Sequence, residues 1–290
     1  MPSYKTHAMF VDKTNKFVDK RINLDLNNLK VFSFGPDSLV FTDPILFNTQ
    51  HNKYTKNFFE SLLRKIKEEK EQDNDELISF LYGQISHYIL DYSFHPYIFY
   101  ISNGLKTSRL INSHMQIELW LDSYIMNKYK MSDDKYFVPK SIHNSATRRI
   151  INEVYYKIYK SYFTSSKYDI GINMTSLIET NLRKNKSAED IARCLNIGDF
   201  KYYKDKSCAL FFLNLARERW SNPVSGEKHN ESVDELWNNA VSDYLETIDA
   251  INKFLYDGEP LKETTINSDL SYDTSLPCES SKKMIYQKKY

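Results

Sequence analysis

Between residues 75 and 95, apolar side chains recur every three or four positions: Leu77, Ile78, Leu81, Ile85, Tyr88, Ile89 and Tyr92. That period collects them on one face of an α-helix, whereas a strand, whose faces alternate at every second residue, would scatter them. Asp73, Asn74 and Asp75 offer N-cap side chains, and Pro96 is expected to stop the helix, because proline lacks a donor and clashes with the preceding turn. The same period predicts helices over 57–70 (Phe58, Leu62, Ile66), 108–130 (Ile111, Met115, Leu119, Ile125) and 147–162 (Ile150, Val154, Ile158, with Tyr159 or Tyr162). Further helices are expected over 6–18, 174–183, 187–195, 207–220 and 232–256, the last opened by Ser232-x-x-Glu235, a capping box. Seven glycines and eight prolines are all that punctuate 290 residues, and no useful run of period two occurs. The expected fold is therefore all-α, a single multi-helix domain over residues 1–256 with little strand. From Asp257 the sequence is polar and aperiodic, so 257–290 is expected to form a loosely ordered tail.

Charge narrows the possible partners. With 39 basic and 38 acidic side chains, the chain lacks the bulk charge of a nucleic-acid wrapper or a polybasic membrane binder, and no stable nucleic-acid complex is expected. No stretch reaches the roughly 18–20 apolar residues that span a bilayer. No apolar run follows Lys5, so a secretory signal is not expected and a cytoplasmic location is. Cys194, Cys208 and Cys278 are too few and too scattered for a disulfide framework, and without Cys-x-x-Cys neither sulfur-ligated zinc nor thioredoxin chemistry is expected. The abundant Tyr (22) and Phe (17) come with no basic stripe, which argues against base stacking.

The chemistry is concentrated in the first half. Five of the seven histidines, His7, His51, His87, His95 and His114, lie within 114 residues. Positions four apart sit one turn above each other on a helix, so His87, Asp91 and His95 form a nitrogen–oxygen–nitrogen column. The next helix repeats the step with His114, Glu118 and Asp122. Zinc takes imidazole nitrogen and carboxylate oxygen at about 2.0–2.2 Å, and a helical face supplies two such ligands without backbone strain. Five such groups on inward faces would be costly to bury unpaired, which points to a metal. Paired Glu-x-x-His, His-Glu-x-x-His, the His-Asp dipeptide and the Gly-x-x-x-x-Gly-Lys-Ser/Thr loop are all absent. His143 and His229 stand apart in polar contexts and are expected to be exposed.

The run Gly83 to Pro96 followed by His114-x-x-x-Glu118 resembles the zinc-dependent phospholipase C family. Thr6-His7-Ala8 is similar to its early helical histidine, Gly35-Pro36-Asp37 to its glycine-proline-aspartate loop, and His51 falls where a further histidine ligand is expected. The resemblance covers roughly residues 1–130 and is closest to a signal-less, intracellular branch, in the short His87–Asp91–His95 step. It implies an all-helical fold holding two or three zinc ions. His51, His87 and Asp91 would bind one ion, His95, His114 and Glu118 a second, and His7 with a bridging Asp91 a third. Asp37 would be a ligand or the general base beside the metal-bound water. In secreted members the third ion is also held by the processed N-terminal residue, and here Met1 lies six residues before His7. Asp122, one turn beyond Glu118, would either orient a histidine N–H or stand as a helix-surface charge. The implied activity is hydrolysis of a phosphodiester, such as a phospholipid head group, by metal-activated water. Tyr88, Tyr92, Phe94 and Tyr97 would line the mouth or pack in the core. Two alternatives remain: a nuclease-like phosphodiesterase on the same fold, and a non-enzymatic, zinc-stabilised helical binding protein.

Overall fold

A computed structural model describes residues 4–18, 24–102, 113–130, 141–184, 212–262, 265–266, 269–278, 280 and 283–288. In chain order they form α1 (Tyr4–Thr14), a 3₁₀ turn (Asn15–Phe17), α2 (Leu26–Phe32), a second 3₁₀ turn (Gly35–Leu39), α3 (Pro44–Asn52), α4 (Thr55–Glu68) and α5 (Asp75–Ser102). There follow α6 (Ser113–Lys128), α7 (Ser145–Tyr159), α8 (Ser165–Lys184), strands β1 (Trp220–Ser221) and β2 (Lys228–His229), and α9 (Val233–Leu255). The two strands make one antiparallel pair, Trp220 opposite His229. The fold is all-α.

Helix α5 is the axis of the molecule. Its residues are buried on nearly every side, from Leu77 to Ser102, because α1, α2, α6 and α9 all pack around it. The helix does not stop at Pro96 but runs on to Ser102. An interior proline costs about 3 kcal/mol through its missing donor and its ring clash. Beyond it, Tyr97, Ile98 and Ile101 are each at most 2% exposed. Burying side chains of that size is worth about 1.5–3 kcal/mol each, so continuation wins.

Other boundaries follow the apolar period closely. Phe58, Phe59, Leu62, Leu63 and Ile66 of α4 face Ile150, Ile151, Val154 and Tyr155 of α7. Tyr162, beyond the end of α7, is 61% exposed rather than inward. Helix α9 opens with the expected capping box, in which Glu235 N–H donates to Ser232 Oγ and Ser232 N–H to Glu235 Oε2. The helix expected over 187–195 lies outside the described residues, as do Cys194 and Cys208. The one expected over 207–220 begins outside them, and after Phe212 its described part is a turn leading into β1. There Asn214 draws the backbone away from a helix: its amide donates to the carbonyls of Glu218, Asn230 and Glu231, and its carbonyl oxygen accepts from Glu218 N–H. His143 is exposed as expected. His229 instead stacks at 4.3 Å on Trp220, which leaves it half-buried.

Gly83 sets the distance between α2 and α5. A Cβ there would lie 2.6 Å from the carbonyl carbon of Phe32, so the two backbones touch where glycine permits it. This contact brings Ser33 and the Gly35–Leu39 turn over the middle of α5. From the far end of the chain, residues 269–278 fold back against the same region, with Ser271 and Tyr272 wholly buried.

Candidate metal centre

Seen from α5, His87 and Asp91 are the inner wall of a buried polar cluster, both 0% exposed. Helix α1 lays the His7 ring on that of His87, with centroids 4.1 Å apart. The 3₁₀ turn after α2 supplies Asp37, and the last turn of α3 supplies His51. One turn further along α5, His95 meets His114 and Glu118 of α6, with His114 Nε2 at 2.6 Å and His95 Nε2 at 3.9 Å from Glu118 Oε1.

The donor atoms gather into three sets, each within 4.8 Å of one another: His7, His87 and Asp91; Asp37, His51 and His87; and His95, His114 and Glu118. Asp91 Oδ1 lies 3.2 Å from His7 Nε2, and Oδ2 lies 3.0 Å from His87 Nε2 and 3.7 Å from His51 Nε2. Asp37 Oδ1 is 3.2 Å from His51 Nε2 and its Oδ2 is 3.6 Å from His87 Nε2. Two ligands of a tetrahedral zinc, each about 2.0–2.2 Å from the ion, stand about 3.3–3.6 Å apart. Most of these separations straddle that value.

The tautomers decide the chemistry. His51 Nδ1 bonds to the Phe47 carbonyl at 2.8 Å, His87 Nδ1 to that of Ser33 at 3.0 Å, and His95 Nδ1 to that of Tyr272 at 2.8 Å. A carbonyl only accepts, so each Nδ1 carries a proton and each ring turns its Nε2 inward, the nitrogen left to bind a metal. Those Nε2 atoms face carboxylate oxygens. His51 Nε2, His87 Nε2, both nitrogens of His7, both oxygens of Asp91 and Asp37 Oδ1 are buried without a hydrogen-bond partner. Leaving one such atom unsatisfied costs about 1–3 kcal/mol, and divalent cations among the Nε2 atoms and carboxylate oxygens would remove most of those penalties. The donor set thus fits zinc, and holding Nδ1 on a carbonyl is how metal-bound histidines are oriented.

Without a cation the cluster is electrostatically uneven. Burial lowers His7 to about 4, helped by the neighbouring His87. Burial also opposes the charged form of His51, but Asp37, with Asp273 and Asp91 behind it, outweighs burial and raises His51 to about 9. Asp91 stays well below the usual carboxylate range despite its burial, because His87, His95 and His7 surround it. Glu118, buried beside other carboxylates, is pushed well above that range.

A family model for zinc-dependent phospholipase C matches residues 6–169, more than half of the chain. The chain belongs to the zinc-dependent phospholipase C family. No curated protein and no solved structure matches it. The matched span carries every one of the eight residues on which the resemblance rests: His7, Asp37, His51, His87, Asp91, His95, His114 and Glu118. Asp122 is a buried acceptor and not a helix-surface charge. It is 4% exposed and its Oδ1 accepts from Thr6 N–H at 3.0 Å and Thr6 Oγ1 at 2.5 Å, tying the start of α1 to α6 beside His7. Nor do the α5 aromatics form a mouth: Tyr88, Tyr92, Phe94 and Tyr97 are all buried, at most 9% exposed. Sequence reasoning missed Ser33, Phe47 and Tyr272, which act through main-chain carbonyls and so leave no trace in residue type. Among the described residues, no helix is long and apolar enough to cross a membrane.

Proposed function

We propose that this protein is a zinc-dependent phosphodiesterase, and that its substrates are phosphodiesters of the phospholipid head-group kind. The observation that carries the reading is the inward-turned cluster, in which buried histidine nitrogens and carboxylate oxygens face one another without hydrogen-bond partners. His7, His51, His87 and Asp91 would hold zinc on one side, and His95, His114 and Glu118 on the other, with Asp91 bridging toward His7. Bound zinc supplies Lewis acidity, holding phosphate oxygens and lowering the pKa of a bound water toward neutrality. The chain's own part is placement: the Phe47, Ser33 and Tyr272 carbonyls fix three imidazoles, and the apolar sheath of α5 keeps bulk water out. Asp37 is 5% exposed against 0% for Asp91, so it is the carboxylate nearer to solvent. It accepts the proton of the attacking water.

The test is a zinc count together with turnover of a chromogenic phosphodiester. Two or three zincs and measurable hydrolysis are expected, and Asp37→Asn should keep zinc while losing about 10²–10⁴ of the rate. No bound zinc would overturn the metal reading, and an Asp37→Asn variant as fast as the parent would overturn the role of Asp37. The complete burial of His87 and Asp91 favours one competing reading, a zinc-stabilised binding protein. One tightly held ion with no hydrolysis would be its signature.

A further inference from the structure

His95 differs from the other oriented histidines in where its acceptor comes from. His51 uses the carbonyl one turn back on its own helix, and His87 uses Ser33 at the end of the adjoining α2. The acceptor of His95 belongs to Tyr272, outside the span that matches the family. Residues 269–278 form a tight loop: Leu270 pairs with Pro277, Ser271 N–H donates to the Leu276 carbonyl at 2.8 Å, and Cys278 N–H to that of Asp269 at 2.7 Å. The main chain of Tyr272 reaches both halves of the centre. Its N–H donates to the His51 carbonyl at 2.9 Å while its carbonyl accepts from His95 Nδ1 at 2.8 Å.

The loop is fastened independently of that contact. The Tyr272 ring packs 5.0 Å from His51 and 4.9 Å from Tyr88, with no exposed surface. Ser271 Oγ donates to Asn52 Oδ1 at 3.0 Å, Asn222 donates to the Thr274 carbonyl at 2.8 Å, and Lys56 N–H to Asp269 Oδ1 at 3.0 Å. The carbonyl facing His95 is therefore held in place by ring packing and by three ties to α3, α4 and the β1–β2 connection.

We propose that residues 269–278 are a strap belonging to the metal centre, with Tyr272 as a positioning residue that aims His95 Nε2 at zinc. The proposal rests on the zinc reading above. Partners that hold the outer nitrogen of a zinc-bound histidine are worth about 10–100-fold in metal affinity. Coupling between two binding events is reciprocal, so zinc held by His95, His114 and Glu118 must steady the strap by the factor with which the strap tightens zinc.

Hydrogen exchange on the full, unaltered chain tests this, with the protein chelated or loaded with zinc and the zinc counted in the same samples. Exchange across 269–278 should slow by about 10–100-fold on loading. Zinc uptake with unchanged exchange in that segment overturns the strap alone, whereas no zinc uptake overturns the zinc reading itself. A second measurement replaces zinc with cobalt. Tyr272→Ala should bind one cobalt about 10–100-fold more weakly and shift its visible absorption, while Tyr272→Phe, which keeps the ring and the main chain, should match the parent. A Tyr272→Ala protein with parental helix content and a parental cobalt spectrum and affinity overturns the proposal. If Tyr272→Ala does not fold, the exchange measurement on the unaltered chain decides.

Discussion

Gly35→Ala should disable the centre without touching a ligand. Gly35 has φ +56°, and a Cβ there would lie 2.3 Å from His87 Cγ and 2.4 Å from its Cδ2. Carbon atoms rest about 3.5–4.0 Å apart, so the ring must retreat by more than an ångström. It has nowhere to go. His87 is wholly buried, bonded to the Ser33 carbonyl at 3.0 Å and stacked on His7 at 4.1 Å. The left-handed backbone adds about 1–2 kcal/mol and the overpacking about 1–3 kcal/mol, so the chelated variant should lose about 2–5 kcal/mol. At 2–4 °C per kcal/mol for a chain approaching this size, the melting temperature should fall by roughly 4–20 °C. Metal bonds tolerate shifts of only about 0.2 Å, so both sets that share His87 should also lose zinc. Calorimetry of the chelated protein and a zinc count after dialysis read the two effects. Gly258→Ala is the control: φ is +77° but nothing lies within 4 Å, so only backbone strain applies and zinc should be unchanged. A Gly35→Ala protein that melts with the parent and carries parental zinc would refute the packing argument.

Ser232→Ala removes half of the capping box of α9 and should cost about 1 kcal/mol, read as a melting shift of about 2–4 °C with parental zinc content. Asp122→Ala leaves Thr6 N–H and Thr6 Oγ1 without their buried acceptor, and urea unfolding of the chelated protein should report a loss of about 2–4 kcal/mol. His51, raised to about 9, is protonated at pH 7 in the metal-free protein, and that contribution to stability is complete below its unfolded value near 6.5 and lost as pH rises through about 9. Zinc must displace that proton, so loading at pH 7 in weak buffer should release at least one proton per chain and apparent affinity should climb from pH 6 to 9. His7, lowered to about 4, is already neutral at pH 7 and contributes none of it. Uptake of zinc with no change in acidity would contradict the assignment of His51.

What could be read from the sequence was whatever a side chain announces by its type and period. The α5 and α6 columns were legible because donor identity and four-residue spacing are both written in residue letters. Pro96 misled because its cost is local, whereas the burial of Tyr97, Ile98 and Ile101 that offsets it is tertiary. Asp122 shows a related limit: spacing placed it on an inward face but could not show that Thr6 N–H is among the donors it meets. Tyr272 sits in a polar, aperiodic stretch, and its contribution is a backbone carbonyl that any residue possesses.

The scatter of donors along the chain also has a consequence for biosynthesis. A polypeptide leaves the ribosome N-terminus first. His7 emerges ahead of the other donors, yet it can meet no acidic companion in its set until Asp91 has followed, and the neighbouring set stays open until Glu118 appears. Tyr272 arrives later still. A nascent chain therefore displays loose imidazoles long before it can cage an ion, and final closure waits for Tyr272.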